Sequence, residues 1–166
     1  FLGSAGEDQI LGVDTLPDGS LRVCGATESP TFPTTPLALD RTFGGNGLSD
    51  AFVAAVSANG SELLHSTYVG GSMDDYATSI KVDTSGAAVV VGMTRSVDFP
   101  TTVGAYDRTH NGSADAWLLS LDTAGSTLGF STFLGGAGFD QAESVVLDPG
   151  GGAWITGFTT SPAFPT

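Results

Sequence analysis

The stretch Phe32-Pro33-Thr34-Thr35 returns as Phe99-Pro100-Thr101-Thr102, and a third copy is found at Phe164-Pro165-Thr166. The first two copies lie 67 residues apart, and the second and third lie 65 residues apart. A motif that recurs at a nearly constant interval indicates an internal repeat, in which each copy forms one structural unit. The fold of the chain is therefore decided by what one copy forms.

Other motifs recur in the same order on both sides of this stretch, so the repeat covers the whole chain. It divides the chain into units 1–67, 68–132 and a partial unit 133–166, which we interpret as a single segment, 1–166. The matched motifs are Phe1-Leu2-Gly3 with Tyr68-Val69-Gly70 and Phe133-Leu134-Gly135, Asp8 with Asp75 and Asp140, Gly25-Ala26-Thr27 with Gly92-Met93-Thr94 and Gly157-Phe158-Thr159, and Asp50-Ala51 with Asp115-Ala116.

Each unit is predicted to form two β-hairpins, because short apolar and β-branched runs alternate with Gly-containing turns and no stretch has helical periodicity. In the first unit, strands are expected near 12–16, 21–27, 51–57 and 63–69. The corresponding ranges in the second unit are 79–83, 87–94, 116–121 and 128–134. Four strands per unit and no helix indicate an all-β repeat protein.

The apolar pattern of the strands indicates sheets that are covered on both sides. In the run 116–121 both alternating faces are mostly apolar, and Val89-Val90-Val91 is similar. A sheet that is covered on one side only would alternate between apolar and polar residues. Sheets arranged around an axis bury both faces. We therefore predict a β-propeller, of which this chain forms about two and a half four-stranded blades.

Two linked groups of motifs resemble the bacterial SBBP-type β-propeller repeat. The first is the run 68–77 with Val82-Asp83-Thr84-Ser85-Gly86, and the second is the run 98–106 followed by Asp115-Ala116-Trp117. The resemblance covers the whole chain, although the first unit departs from it at Ser4 and at Gln9-Ile10. It implies a propeller, often of seven blades, within large secreted or envelope proteins that mostly lack a defined chemistry.

Two complete units and one further hairpin are too few to close a ring, since propellers take roughly four to eight blades. The end blades would then present apolar faces and open strand edges, which drive association. We therefore expect the segment to belong to a longer polypeptide, or to meet other chains that complete the ring or extend it.

The chain is strongly acidic, with five Lys and Arg residues against eighteen Asp and Glu residues and a formal net charge of −13. Such a surface repels phosphate backbones and anionic lipids, so neither nucleic acid nor a membrane surface is expected as a partner. The longest apolar run, Ala51 to Val56, is too short to span a bilayer. Cys24 is the only cysteine, which excludes an internal disulfide and a cysteine-based zinc site.

No residue is predicted to be catalytic, cofactor-binding or metal-binding. Asp8, Asp75 and Asp140 lie in Gly-rich loops and could coordinate calcium, but they lack the alternating Asp/Asn pattern of a dedicated calcium loop. Hydrogen bonds that cap turns are the favoured interpretation. His65 and His110 have no serine nucleophile motif and no second histidine at ligand spacing, which favours packing or solvation.

Cys24 and Trp154 each have a structural and a functional interpretation. Cys24 aligns with Val91, which favours a small buried side chain over a reactive thiol. Trp154 aligns with Arg22 and Val89, so its position accepts varied side chains. It could be a stacking platform for a sugar, and a contact between blades is the favoured interpretation.

The loops contain two glycosylation sequons and two long connections. Asn59-Gly60-Ser61 and Asn111-Gly112-Ser113 fit the sequon, but Asn-Gly is equally a tight-turn dipeptide, which we favour. The connections 29–49 and 96–114 show no strand pattern, and loops of that length are usually functional or packed down. Their apolar residues are expected to pack onto the neighbouring blade: Phe32, Pro33, Leu39, Phe99, Pro100 and Tyr106.

Three hypotheses about function follow. The favoured one is a non-enzymatic structural or interaction scaffold, without a cofactor, in a secreted or cell-surface bacterial protein. The alternatives are a lectin-like propeller with one sugar pocket per blade, and the non-catalytic blades of a larger propeller enzyme. Expected partners are other blades of the same or neighbouring chains, and protein or glycan on the repeated loop face. The scaffold is favoured because repeated residues are most simply architectural and no unrepeated nucleophile–base pair is present.

Overall fold

The computed structural model describes residues 1–165, and the last residue of the third Phe-Pro-Thr copy, Thr166, lies outside the described residues. The described chain is all-β, as predicted, and contains no helix that could cross a membrane. Its ten strands are β1 (Asp8–Thr15), β2 (Leu21–Thr27), β3 (Asp50–Val56), β4 (Leu63–Val69), β5 (Asp75–Val82), β6 (Ala88–Thr94), β7 (Asp115–Leu121), β8 (Leu128–Leu134), β9 (Asp140–Leu147) and β10 (Ala153–Thr159).

The strands form three antiparallel sheets that follow the repeat. The first sheet has the order β1-β2-β3-β4, the second β5-β6-β7-β8, and the third contains β9 and β10. Neighbouring strands in each sheet are consecutive in sequence, so every connection within a sheet is a simple antiparallel return. The prediction of two hairpins per complete unit is confirmed.

The first strand of each unit begins about four residues earlier than predicted, at Asp8 and Asp75 instead of near 12 and 79. The cause is a β-bulge, which shifts the register between Ile10 and Gly12 in β1 and between Ala77 and Ser79 in β5. A bulge inserts one unpaired residue and breaks the two-residue alternation from which strands are recognised. The sequence pattern therefore revealed only the part of the strand beyond the bulge.

The turns that join β-strands within each hairpin have a common construction. A glycine with positive φ occupies each of these five turns, at positions 19, 60, 86, 125 and 151. An aspartate or asparagine then accepts hydrogen bonds from the turn amides, as when Asp83 Oδ1 accepts from the Ser85 N–H at 2.7 Å and the Ala87 N–H at 3.0 Å. These contacts fix the turn without help from the core, because the side chain bonds to its own backbone.

The three sheets pack side by side, and the first strand of each sheet lies against the preceding sheet. β5 contacts β1, β2 and β3, and β9 contacts β5, β6 and β7. Polar contacts also join the first strands: Asp14 Oδ2 accepts from the Val82 N–H at 2.8 Å, and the Thr78 hydroxyl donates to the Ala142 carbonyl at 2.7 Å. Strand β6 is buried on both faces, as the pattern of Val89-Val90-Val91 predicted, and the predicted run in β7 is buried except at Leu118 and Ser120, which are half-buried.

The largest core lies between the first and second sheets. Its fully buried members are drawn from both sheets, so burial of this surface stabilises their packing as well as each sheet. The core contains Cys24, Ala51, Val53, Val69, Ala77, Ile80, Ala88, Val90, Phe99, Trp117, Leu119, Leu121 and Phe133, with Leu39 and Leu128 packed against it.

The long connection between the second and third strands covers the outer edge of its own sheet. The Thr35 N–H donates to the Ser66 carbonyl at 3.0 Å, and the Tyr68 N–H donates to the Asp40 carbonyl at 3.1 Å. The second sheet repeats both bonds at Thr102 and Asp107. An edge strand that is paired in this way cannot recruit another strand.

The expectation that the connection packs onto the neighbouring sheet is met by Phe99, which belongs to the core between the first and second sheets, and by Leu39. The Leu39 N–H donates to the Gly125 carbonyl of the second sheet at 2.9 Å. Phe32 lies over its own sheet, with its ring centroid 4.4 Å from that of Phe52, and Tyr106 is largely exposed. The Phe32 ring turns inward because β3 of the same sheet, which carries Phe52, offers the nearest apolar surface.

Candidate functional site: the loop face

One end of the three sheets carries the three repeated aspartates Asp8, Asp75 and Asp140, together with His110 and Asn111. There the first strand of each unit begins and the fourth ends, and the Gly-rich turns 70–74 and 135–139 meet the long connections 28–49 and 95–114. We call this end the loop face. The opposite end consists of the tight hairpin turns.

Asp75 and its equivalents Asp8 and Asp140 are the centres of a repeated hydrogen-bond cage. Asp75 Oδ2 accepts from the Gly71 N–H at 2.7 Å and from the Ser96 hydroxyl at 2.8 Å. In the third unit, Asp140 Oδ2 accepts from Gly136 and Ser161 at the same 2.7 Å. Each cage ties the start of a first strand to the Gly-rich turn before it and to the end of the second strand. The carboxylates therefore cap turns, in accordance with the favoured interpretation.

A second buried aspartate begins the third strand of each complete sheet, and sequence reasoning did not single it out. Asp50 Oδ2 accepts from the Gly44 N–H at 2.7 Å, and Asp115 Oδ2 accepts from the Asn111 N–H at 2.8 Å. The Oδ1 atoms of both residues are buried without a hydrogen-bond partner. The recurrence of Asp-Ala at the start of the third strand was the signal that could have identified this position.

Gly70 explains why the two aspartates can approach each other. A Cβ atom added to Gly70 would lie 2.8 Å from Asp75 Oδ2 and 3.1 Å from Asp50 Oδ1. Any side chain at this position would collide with a buried carboxylate. The glycine that recurs at positions 3, 70 and 135 is therefore required by the close approach of carboxylates.

Burial changes the protonation of these carboxylates. Removal from water, together with the charge of neighbouring aspartates, raises the pKa of Asp75 to about 7 and that of Asp50 to about 6. Burial also raises the pKa of Asp115. The exposed Asp98 behaves oppositely, because the hydrogen bond from the Ser72 amide lowers its pKa. The loop face thus combines protonatable buried acids with an exposed carboxylate that stays ionised.

A polar cavity of about 360 Å³ lies beside these carboxylates, between the first and second units. Asp40 and Asp98 line it together with the backbone of Gly70 and Gly71. The cavity is not repeated in the same form, because Ala163 takes the place of Asp98 in the third unit. Within residues 1–165, no group of three or more His, Cys, Asp or Glu side chains is arranged to hold a metal ion.

His65 lies away from the loop face and is packed between the first and second sheets. It is 3% exposed, and neither ring nitrogen has a hydrogen-bond partner. Burial, together with the charge of the nearby Arg22, lowers the pKa of His65 to about 4. A neutral imidazole without a carboxylate or nucleophile partner has a packing role, consistent with the aligned Phe130.

His110 takes the place of an aromatic residue on the loop face. Its ring lies edge-on to Phe133 with 5.9 Å between the ring centroids, just as Phe43 lies edge-on to Tyr68 at 5.8 Å in the first unit. His110 and His65 are on different parts of the molecule and are not brought together into one site. The geometry of both residues is that of packing side chains.

Cys24 is fully buried in the core between the first and second sheets. Its thiol donates a weak hydrogen bond to the Ala77 carbonyl at 3.6 Å, and burial raises the pKa of Cys24 to about 12. A thiol that remains protonated at neutral pH is neither a nucleophile nor a metal ligand. Cys24 is therefore a core residue.

Replacing Cys24 with valine is expected to change the free energy of unfolding by less than about 1 kcal/mol, because apolar swaps of similar volume are tolerated. The aligned Val91 already occupies this place, fully buried, in the second sheet. Urea unfolding of the two proteins measures the difference. A loss of several kcal/mol would show that the alignment does not describe the packing around Cys24.

Trp154 and the two sequons lie on the surface. Trp154 is 67% exposed, and its indole N–H donates to Asp148 Oδ2 at 3.2 Å. Asn59 Oδ1 accepts from the Ser61 N–H at 3.0 Å, which is the hydrogen bond of a tight turn. The Asn111 side chain donates to Asp107 Oδ2 at 2.8 Å. Both asparagines thus have local structural roles.

No protein-family model matches this chain, and no curated protein matches it. Its function is therefore inferred from the residues and contacts described above.

Proposed function

We propose that this chain is a segment of a β-propeller that serves as a non-enzymatic interaction scaffold in a secreted or cell-surface bacterial protein. The observation that carries the proposal is the repeated cage around Asp8, Asp75 and Asp140. In each unit the most conspicuous polar residues bond to the turns and strands around them. Polar groups that are used to build the fold are not free to react with a substrate.

The contacts between the sheets support the propeller architecture. The first strands of the second and third sheets, β5 and β9, each contact the preceding sheet, including its own first strand, so the first strands lie beside one another. In a propeller the first strands line the central axis and the blades spread outward from it. The resemblance to SBBP-type repeats favours the same arrangement, and with it the secreted or envelope location.

The loop face is the surface on which we place a partner. It carries exposed carboxylates at Asp40 and Asp98, and the whole chain has a net charge of −13. A surface of this sign favours partners with basic groups and repels nucleic acid and anionic lipid. Because the edge of β4 is already covered, partners would meet loops and side chains there and not an open strand.

We expect no hydrolase or lyase turnover from the 166-residue chain. The only imidazoles belong to His65, which is buried and neutral, and His110, which packs on Phe133. Neither is paired with a nucleophile in the hydrogen bonds that the structure describes. A screen of ester, glycoside, phosphate and uronide substrates measures this directly.

The screen should include the variants His65→Phe and His110→Phe. Each variant carries the phenylalanine that the other complete unit has at the aligned position, Phe130 for His65 and Phe43 for His110. Turnover that either substitution removes would overturn the non-enzymatic proposal. Turnover that is equal in all three proteins would identify a contaminant if further purification removes it. If it copurifies with the chain it would also overturn the proposal, because carboxylates alone can catalyse glycoside hydrolysis.

One observation favours a carbohydrate-binding alternative. Trp154 presents a largely exposed indole whose N–H is held by Asp148, an arrangement that can stack on a sugar ring. The equivalent residues Arg22 and Val89 are buried, so the platform occurs in one unit only. A glycan array with the wild-type chain and Trp154→Ala separates the alternatives, because a lectin would show Trp154-dependent signals and a scaffold would show none.

A further inference from the structure

An apolar cavity of about 540 Å³ lies between the second and third sheets, along the free side of β10. Its walls come from three places: the second sheet, the β9–β10 hairpin and the third Phe-Pro-Thr motif. The lining residues are Tyr106, Ala116, Leu134, Gln141, Ala142, Ile155, Gly157, Phe158, Thr159, Phe164 and Pro165.

Six of these lining residues are the repeat equivalents of residues in the large core between the first and second sheets. Five of the pairs align at a spacing of 65 residues and one at 67, the two spacings of the repeat, and all six counterparts pack in that single core. The pairs are Tyr106 with Leu39, Ala116 with Ala51, Leu134 with Val69, Ala142 with Ala77, Ile155 with Val90, and Phe164 with Phe99. The cavity is therefore the counterpart of that core, one repeat further along the chain, and residues 1–165 fill only part of it.

The members that fill this space in the earlier copy are Trp117, Leu119 and Phe133, all from the hairpin β7–β8. Trp117 lies opposite Gly92 in the strand register, and its ring centroid is 5.0 Å from that of Phe99. In the first sheet, Phe52 lies opposite Gly25 and packs on Phe32 in the same way. A glycine floor and a phenylalanine wall thus hold an aromatic ring in both complete sheets.

Gly157 and Phe164 provide the same floor and wall in the cavity. Within residues 1–165, strand β10 is paired with β9 alone. Its equivalents β2 and β6 are paired on both sides, β2 with β1 and β3 and β6 with β5 and β7. One side of β10 therefore offers a row of backbone donors and acceptors beside an apolar slot of matching shape. Strand addition uses these two features together, the backbone for affinity and the pocket for specificity.

We propose that this slot binds an antiparallel β-hairpin of the β7–β8 type, with an aromatic side chain opposite Gly157 and an aliphatic side chain opposite Ile155. The register follows from the second sheet, where Trp117 faces Gly92 and Leu119 faces Val90. This inference deepens the scaffold proposal and rests on it, since it takes a repeated hairpin as the unit of assembly. It assigns to the chain a second interaction surface, distinct from the loop face.

The test is a titration of the 166-residue chain with a synthetic peptide that has the sequence of residues 115–134 and lysines added at both ends. Isothermal calorimetry should give one peptide per chain, and hydrogen exchange should show new protection of the β10 amides. A peptide with Trp117→Ser is expected to bind at least tenfold more weakly, because it lacks the ring that fills the slot. The added lysines are the same in both peptides, so attraction to the acidic chain cancels in the comparison.

Two variants of the chain complete the experiment. Ile155→Asn should weaken binding at least tenfold, whereas Trp154→Ala, on a neighbouring exposed position of β10, should leave it unchanged. Thermal unfolding of both variants, compared with that of the wild type, shows whether β10 is still formed. If Ile155→Asn unfolds the β9–β10 hairpin, the comparison of the wild-type and Trp117→Ser peptides on the wild-type chain still tests the proposal.

Failure of the peptide to bind, equal binding of the two peptides, or protection away from β10 would overturn the inference. So would self-association of the chain that protects β10 without peptide, since it would assign the slot to a second copy. None of these experiments measures turnover. Their outcome therefore leaves the non-enzymatic proposal unaffected, and the substrate screen tests that proposal separately.

Discussion

Replacing Trp117 with alanine is expected to lower the free energy of unfolding by about 4 kcal/mol, within the range for deleting a buried aromatic side chain. Trp117 is fully buried, and its ring lies between Gly92 and Phe99 in the core that joins the first and second sheets. Its removal leaves a cavity that cannot collapse easily, because both neighbours belong to paired strands or to a fixed loop. Urea unfolding at neutral pH measures the loss.

Two further variants make the interpretation specific. Trp117→Phe should cost much less than the alanine variant, because the aligned position of the first sheet holds Phe52. Trp154→Ala should change stability by less than about 0.5 kcal/mol, since the side chain is 67% exposed. Equal losses for Trp117→Ala and Trp154→Ala would contradict the packing of the sheets described here.

Stability is expected to fall as the pH rises from about 4 to about 7. Burial raises the pKa of Asp75 to about 7 and that of Asp50 to about 6, from a usual value of 3.8. The folded state therefore binds these protons more tightly than the unfolded state, and stability is greatest where both states are protonated. The rise from 3.8 to about 7 is roughly three pKa units, so at about 1.4 kcal/mol per unit ionisation of the fully buried Asp75 costs on the order of 4 kcal/mol.

His65 acts in the opposite direction. Its pKa is lowered to about 4 in the fold, so its contribution is present above its usual pKa of 6.5 and is lost as the pH falls toward 4. Two aspartates outweigh one histidine across this range, and the net slope stays negative. Replacing His65 with phenylalanine should therefore make the decline between pH 4 and 6.5 steeper.

Asp75→Asn tests the assignment, because asparagine keeps the shape of the protonated acid and does not titrate. Thermal unfolding between pH 4 and 8 should show a shallower decline for this variant, and a higher unfolding temperature than the wild type at pH 8. Asp83→Asn, in an exposed turn, is the matched control and should leave the slope between pH 4 and 7 unchanged. An unchanged slope in Asp75→Asn would refute the role of this carboxyl group.

Much of the loop face could be anticipated from the repeat, but the approach of its buried acids to one another could not. The recurrence of Asp8, Asp75 and Asp140 beside glycines predicted capped turns, and the cages have that form. The approach of Asp50 to Asp75 joins residues from different sheets, across the backbone of Gly70. Such a contact depends on how two units pack, and no spacing within one unit contains it.

The sequence by itself determined the repeat, the two hairpins of each complete unit and the burial of both faces of β6 and of most of β7. These follow from local turn chemistry and from the two-residue alternation of apolar side chains, which are properties of short stretches. The tertiary structure alone decided that the long connection covers the edge of β4, that burial keeps His65 neutral, and that an apolar slot remains beside β10. Each of these depends on which surfaces meet when sheets pack, because desolvation and edge pairing are set by neighbours that are distant in the chain.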